Sequence, residues 1–170
     1  MDYLQQVPLT LNHVNAGCAA GTTTTLTTTA NTVCSIAGKF ATALASGNNQ
    51  AIPAVDVVTG VAPVTLVSTA AAGGQAAAIV FGINNAGAIK ICQGPATPTE
   101  LGVTTTAGAF ILAPQFPTLP DDFCPIAYTV VRTSPTGASF TAGTTSWTAS
   151  GITTATFRNI STLPARPQIS

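Results

Sequence analysis

The sequence predicts an all-β protein: a single β-sandwich or barrel-like domain of short antiparallel strands with an extended N-terminal arm. Three observations carry that prediction. Short apolar runs alternate with polar residues at the two-residue period of a half-buried strand. Turn-forming residues punctuate those runs, with 15 glycines and 12 prolines along 170 residues, which breaks up any long helix. Threonine is abundant, and its β-branch favours extended backbone over helix. Roughly eight to ten strands separated by such turns argue for a sandwich or a barrel.

Residues 1–20 read as the arm and 21–170 as the β-rich domain. The arm mixes Gln, Asn, Pro8 and Gly17 with Tyr3, Leu4, Val7, Leu9 and Leu11. Val7, Leu9 and Leu11 alternate with Pro8, Thr10 and Asn12, as in a short edge strand. Two uses are open: these apolar residues contact a neighbouring subunit, or they form an N-terminal strand of the domain's own sheet. Residues 22–32 are nearly all threonine, broken by Leu26, Ala30 and Asn31. A strand polar on both faces has a weakly specified register and needs neighbours along both edges.

Residues 33–46 fit two periods. Val33, Ile36, Phe40 and Leu44 would share a helix face, whereas Cys34, Ile36, Phe40 and Leu44 would share a strand face. Gly38 costs a helix about 1 kcal/mol relative to Ala, so strand is preferred. Turns follow at Ser46-Gly47-Asn48-Asn49 and Thr59-Gly60, with a surface crossing around Pro53 and a strand starting within 61–67. The strongest local signal is a hairpin. Ile79, Phe81 and Ile83 share one face, Asn84-Asn85-Ala86-Gly87 turns, and Ile89 and Ile91 return around Lys90. Residues 94–99 form a loop and 109–113 a short strand. Pro114, Pro117 and Pro120 forbid a regular ladder over 114–122. Ile126, Tyr128 and Val130 share a face of the next strand, another strand covers 152–157, and 163–167 is an extended tail.

Charge is the unusual feature. Only 6% of residues are charged, net charge is zero and mean hydropathy is +0.44, whereas an ordinary soluble domain is about 25% charged. Such a chain crosses a membrane or has its surface covered by other protein. The most apolar run, 76–83, stops at Asn84 and Asn85, far short of the ~20 residues a spanning helix needs. The first residues show neither the basic nor the apolar region of an export signal. Covered surface is therefore expected, in a homo-oligomer or on a larger assembly. Lys39, Lys90, Arg132, Arg158 and Arg166 are scattered, so direct nucleic-acid binding is not expected. Cys18, Cys34, Cys92 and Cys124 lack the close pairing of a zinc site. Buried reduced thiols are the default without an export signal, and their even number keeps disulfides open.

No residue set calls for catalysis, a cofactor or a metal. His13, the single histidine, lies in the arm, where a general base has no pocket. Asp121 and Asp122 are adjacent and read as a turn after Pro120 rather than as a sugar-cleaving or calcium-binding pair. Gly73-Gly74 lacks the Lys-Ser/Thr of a phosphate loop. Asn159-Ile160-Ser161 matches a glycosylation triplet, incidental in an unexported protein. Trp147, the single tryptophan, anchors an interface or caps one end of the core.

Several stretches resemble tailed-bacteriophage virion structural proteins. They are Ala37-Gly38-Lys39-Phe40 with Asp56-Val57-Val58-Thr59-Gly60, and 80–90 with Gln93-Gly94. Then come Ala113-Pro114-Gln115-Phe116-Pro117 with 121–128, Gly143-Thr144-Thr145-Ser146-Trp147, and 163–168. The likeness covers about 33–170 and leaves the arm unmatched. It implies a small β protein of the virion with no catalytic motif to transfer. Capsid cementing is the most economical such role: a trimer on the outer surface of the major capsid protein shell, assembled in the bacterial cytoplasm. Rival expectations are a head fibre or tail-associated receptor-binding module, a bacterial surface adhesin or pilus subunit, and a hydrolase built around His13.

Overall fold

The computed structural model describes residues 10–40, 44–68, 73–154 and 156–169, and among them there is no helix. In chain order the strands are β1 (Leu11–Asn12), β2 (Ala19–Ala20), β3 (Leu26–Thr28), β4 (Cys34–Ile36), β5 (Lys39–Phe40), β6 (Gly47–Gln50), β7 (Gln75–Asn84), β8 (Ile89–Gln93), β9 (Thr97–Pro98), β10 (Phe123–Thr133), β11 (Ile152–Thr154) and β12 (Arg158–Asn159). They form three antiparallel sheets, none closed into a barrel. The all-β expectation holds. The barrel alternative does not, because the six-stranded sheet stays open.

That sheet runs β11-β10-β7-β8, with β12 also beside β10 and β9 also beside β7. The hairpin legible in the sequence is β7–β8, with Ile83 opposite Ile89 and Ile79 opposite Gln93. Its turn is held by one side chain. Asn84 Oδ1 accepts the amides of Ala86 and Ala88 at 3.2 and 3.0 Å. Gly87 supplies the positive φ of 73° and donates its N–H to the Asn84 carbonyl at 2.9 Å, a geometry that costs glycine little.

β7 and β10 are buried along almost their whole lengths on both faces. On one face Ala77, Ile79, Phe81 and Ile83 join Ile91, Cys124, Ala127 and Val131 in the main core. On the other, Val80, Cys92, Phe123 and Tyr128 form a second cluster, covered by Val57, Phe116, Leu119, Ile160 and Leu163. The covering layer is coil: Phe116 and Leu119 from the proline-rich segment, Ile160 and Leu163 from the C-terminal segment, and Val57. Phe116 meets the Tyr128 ring edge-on at 4.9 Å, and the Tyr128 hydroxyl accepts the Gln168 amide at 3.0 Å.

Ile126, Tyr128 and Val130 do not share a face. The register slips between Pro125 and Ala127, so Pro125 faces Gly82 while Ala127 faces Phe81. Ile126 is the extra residue of a bulge. It enters the main core beside Cys124 and Ala127, and Tyr128 turns to the second cluster. Gly82 permits the crowding at this point, because a Cβ there would lie 2.4 Å from both the Phe123 ring and the Cys124 carbonyl.

The two small sheets, β1-β4-β5 and β2-β3-β6, reach the main core through Leu26, Cys34 and Ile36. The threonine-rich run forms a strand only where both edges are occupied, at β3 between β2 and β6. Its remainder is looped. Asn49 Oδ1 accepts the Thr22 amide and the hydroxyls of Thr22 and Thr25, at 2.8–3.1 Å. Within 33–46 the described residues take the strand reading, although Phe40 departs from the expected buried face and is 79% exposed. Residues 61–67 contribute one isolated bridge, Leu66 to Phe140.

The strand expected over 109–113 is absent. Phe110 makes a single bridge to Thr99, and Ile111 and Leu112 are exposed. The neighbouring edge of β7 is already taken by β9, where Pro98 sits opposite Gln75. The 152–157 strand is likewise shorter, with β11 and β12 docking separately on β10.

One end of the main core is aromatic. Phe81 stacks on Phe157 at 5.4 Å and meets Trp147 edge-on at 6.1 Å, and Trp147 also contacts Phe140 and Phe157. Phe81→Ala should lower stability by about 3–5 kcal/mol in urea denaturation. Phe40→Ala, at an exposed ring, should change it by less than about 0.5 kcal/mol.

Candidate interaction surface

A folded chain hides most of its large apolar side chains when it can. Among the described residues twelve remain substantially exposed. Five are valines at every third position: Val55, Val58, Val61, Val64 and Val67. All lie on the segment between β6 and β7. Leu101, Val103, Ile111 and Leu112 lie on the segment between β9 and β10.

The valine segment is held by a buried carboxylate. Asp56, 3% exposed, accepts the amides of Val58 and Thr59 on Oδ1, at 2.8 and 3.2 Å. Oδ2 accepts the Gln93 amide of β8 at 2.6 Å. The backbone closes the same turn: Asp56 donates to the Val61 carbonyl at 2.8 Å, and Gly60 to the Asp56 carbonyl at 2.9 Å. Val57 donates to Ile91 at 2.9 Å, so the segment lies alongside β8 and seals the open edge of the central sheet. Further on, Gln93 Nε2 donates to the Val64 carbonyl at 2.8 Å. Val67 donates to Gln75 Oε1 and accepts from the Thr133 hydroxyl, both at 2.8 Å. With its polar groups engaged inward, the segment presents valines outward.

The second apolar segment is anchored at the same end of the sheet, where β7 begins and β10 ends. Thr99 donates to the Gly74 carbonyl at 3.1 Å and Thr136 to the Thr104 carbonyl at 3.2 Å. Arg132 of β10 donates to the Gly108 carbonyl at 2.9 Å and lies 4.8 Å from the centre of the Phe110 ring. One of the chain's few cations is thus spent on its own loop.

The interface residues expected from sequence are dispersed differently. Tyr3, Leu4, Val7 and Leu9 lie outside the described residues. Leu11 belongs to β1, paired with Ser35 of the chain's own β4. Asn12, 3% exposed, donates from Nδ2 to the Ile160 carbonyl at 3.0 Å and from its backbone to Ser161 at 3.0 Å. The described part of the N-terminal segment therefore takes the second use left open above, as strand of the chain's own sheets. Trp147 is 4% exposed and donates from Nε1 to the Thr25 carbonyl at 2.9 Å. It caps the core, and within this chain it has no free surface to offer a partner.

His13 Nε2 lies 3.1 Å from Ser35 Oγ, a partner that sequence alone did not reveal. The ring is exposed and sits 5.6 Å from that of Phe40. Among the described residues no carboxylate hydrogen-bonds His13, and no three His, Cys, Asp or Glu side chains gather as a metal site would require. Asp121 and Asp122 are exposed at the turn closed by the Phe123 amide on the Pro120 carbonyl. Asn159 accepts the Cys18 amide on Oδ1 at 2.6 Å and donates from Nδ2 to the Cys18 carbonyl at 3.3 Å, so its amide is occupied. All four cysteines are free and buried. Burial pushes Cys18 up to about 12, and burial with the nearby Asp56 charge does the same for Cys92.

Asp56 is an anchor that sequence alone did not reveal. Its signal was the carboxylate followed by Thr59-Gly60, the composition of a side-chain-closed turn. No family model, curated protein or solved structure matches the chain.

Asp56→Ala should cost about 2–4 kcal/mol, because it strips the acceptor from three backbone amides, one in β8. Asp56→Asn should cost less, since its carbonyl oxygen still accepts. Hydrogen exchange should show faster exchange at Val58, Thr59 and Gln93 than elsewhere in the sheet.

Proposed function

We propose that this chain is a non-enzymatic decoration, or cement, protein of a tailed-bacteriophage capsid. In this reading homotrimers sit on the outer surface of the major capsid protein shell, over junctions between its subunits. The observation that carries it is the surface: an almost uncharged chain with an ordered row of five exposed valines and a second apolar segment nearby. Exposed apolar area of this kind marks a surface that another protein covers. The all-β fold and the resemblance to phage virion proteins agree with that use.

The energetics favour a large, dry contact. A specific interface buries about 1,600 Å² and an obligate one 2,000 Å² or more. At about 25 cal/mol per apolar Å², several such contacts outweigh the entropy lost on docking. Charge contributes little, so the attraction is scarcely screened.

Two measurements test the proposal. Particle-bound protein should stay bound across roughly 0.05–1 M salt, a range over which exposed charge pairs weaken steeply. Release by moderate salt alone would overturn the mechanism. The double variant Val58→Asp/Val64→Asp should fold normally and bind capsids roughly a hundredfold more weakly, because each new carboxylate would be buried unpaired. Copy number in an electron-microscopy reconstruction separates the alternative, a head fibre or tail-associated receptor-binding module. Symmetric shells give a cement on the order of hundreds of copies, against about a dozen for a fibre.

A further inference from the structure

We infer that Cys34 and Cys124 are a modification site: a thiol pair placed to close into a disulfide that ties the small β1-β4-β5 sheet to the central sheet. The inference does not rest on the capsid reading, and neither fails with the other.

The two residues are far apart in sequence and meet only through the fold. Cys34 lies in β4 and Cys124 in β10, and β4 and its partner β1 both pack on β10. Both side chains are 0% exposed and belong to the main core cluster. Each thiol alters the ionisation of the other, as neighbouring groups do, while Cys124 Sγ donates to the Pro125 carbonyl at 3.9 Å. On the flanks, Asn12 Oδ1 accepts from Cys34 Sγ at 3.9 Å, and Ile83 stands opposite Cys124 in the ladder. The other two cysteines are placed differently. Cys92 belongs to the cluster on the opposite face of the sheet and donates to the Thr118 carbonyl at 3.7 Å. Burial alone raises the Cys18 thiol.

The neighbouring Cys124 holds the Cys34 thiol below its ordinary value, and the neighbouring Cys34 together with burial raises Cys124. With a small-molecule disulfide as oxidant, the thiolate of one cysteine attacks one sulfur and forms a mixed disulfide, expelling the first thiolate. The other cysteine then attacks the sulfur of its partner and expels the second. The oxidant's S–S bond is broken and reduced to two thiols, which take up the two protons lost by the protein, while the protein's S–S bond forms. Buried sulfurs react only when the short β1–β4 pairing opens, so exchange on the folded chain is slow and refolding offers a faster route.

The test oxidises the full chain with oxidised glutathione in two arms: folded, and refolding from urea in a glutathione buffer. Remaining thiols are then alkylated under denaturing conditions and the peptides mapped. The expected product carries a Cys34–Cys124 link with Cys18 and Cys92 alkylated. The link closes a long loop, so Tm should rise by roughly 5–15 °C and fall back on reduction. Cys34→Ala and Cys124→Ala should each abolish both the link and the rise, and the near-isosteric Cys34→Ser and Cys124→Ser serve where an Ala variant fails to fold. Links through Cys18 or Cys92, no link in either arm, or a Cys34–Cys124 link that lowers Tm would overturn the inference.

Discussion

The β7–β10 ladder is the constraint on which the rest of the molecule depends. Its backbone groups are satisfied by pairing, and its side chains are apolar on both faces. A sheet buried on both faces needs a cover on each. The two small sheets and the aromatic group around Trp147 cover one. The proline-rich segment and the C-terminal coil cover the other. The fold is thus layered, although only the central layer is a long regular sheet.

Coil can serve as a layer only if its backbone polar groups find partners. With few charges available, neutral side chains and one carboxylate do this. Asn12 ties β1 to the C-terminal coil, Asn49 knits the threonine loop, Asn159 mimics a strand opposite Cys18, and Asp56 holds the valine segment against β8. These bonds join residues distant in sequence, so the irregular segments have defined paths. The same economy leaves the outside with little charge. Apolar side chains such as Val58, Val61 and Leu101 occupy surface where an average domain carries Lys and Glu.

On the proposed reading a docking partner would meet the valines already arranged, because Asp56 and β8 hold their segment. Pre-ordering reduces the entropy lost on association. The thiol pair acts at a different place, between the first small sheet and the central one. It bears on how firmly the chain holds together rather than on what it touches.

Much of the architecture was legible in the sequence because it is local. Alternation over 79–83 and 89–91, with an Asn-Gly turn between, specifies a hairpin without help from the rest of the chain. Low charge and the absence of a long apolar run pointed to covered surface. Other features were decided by neighbours. The bulge at Ile126 sends Tyr128 to the opposite face, and register is a property of two strands rather than one. Residues 109–113 have strand-like composition but make only one bridge, Phe110 to Thr99, beside the two-residue β9. Phe40 fits a buried face by period yet sits at the margin of a two-residue strand. Trp147, open to either role by sequence, is drawn inward by Phe81, Phe140 and Phe157. The anchoring of Asp56 on Gln93, and the meeting of Cys34 with Cys124, required the chain to close on itself. Periodicity and turn chemistry are encoded over a few residues, whereas burial, register and side-chain pairing across distant segments exist only once the sheets have packed.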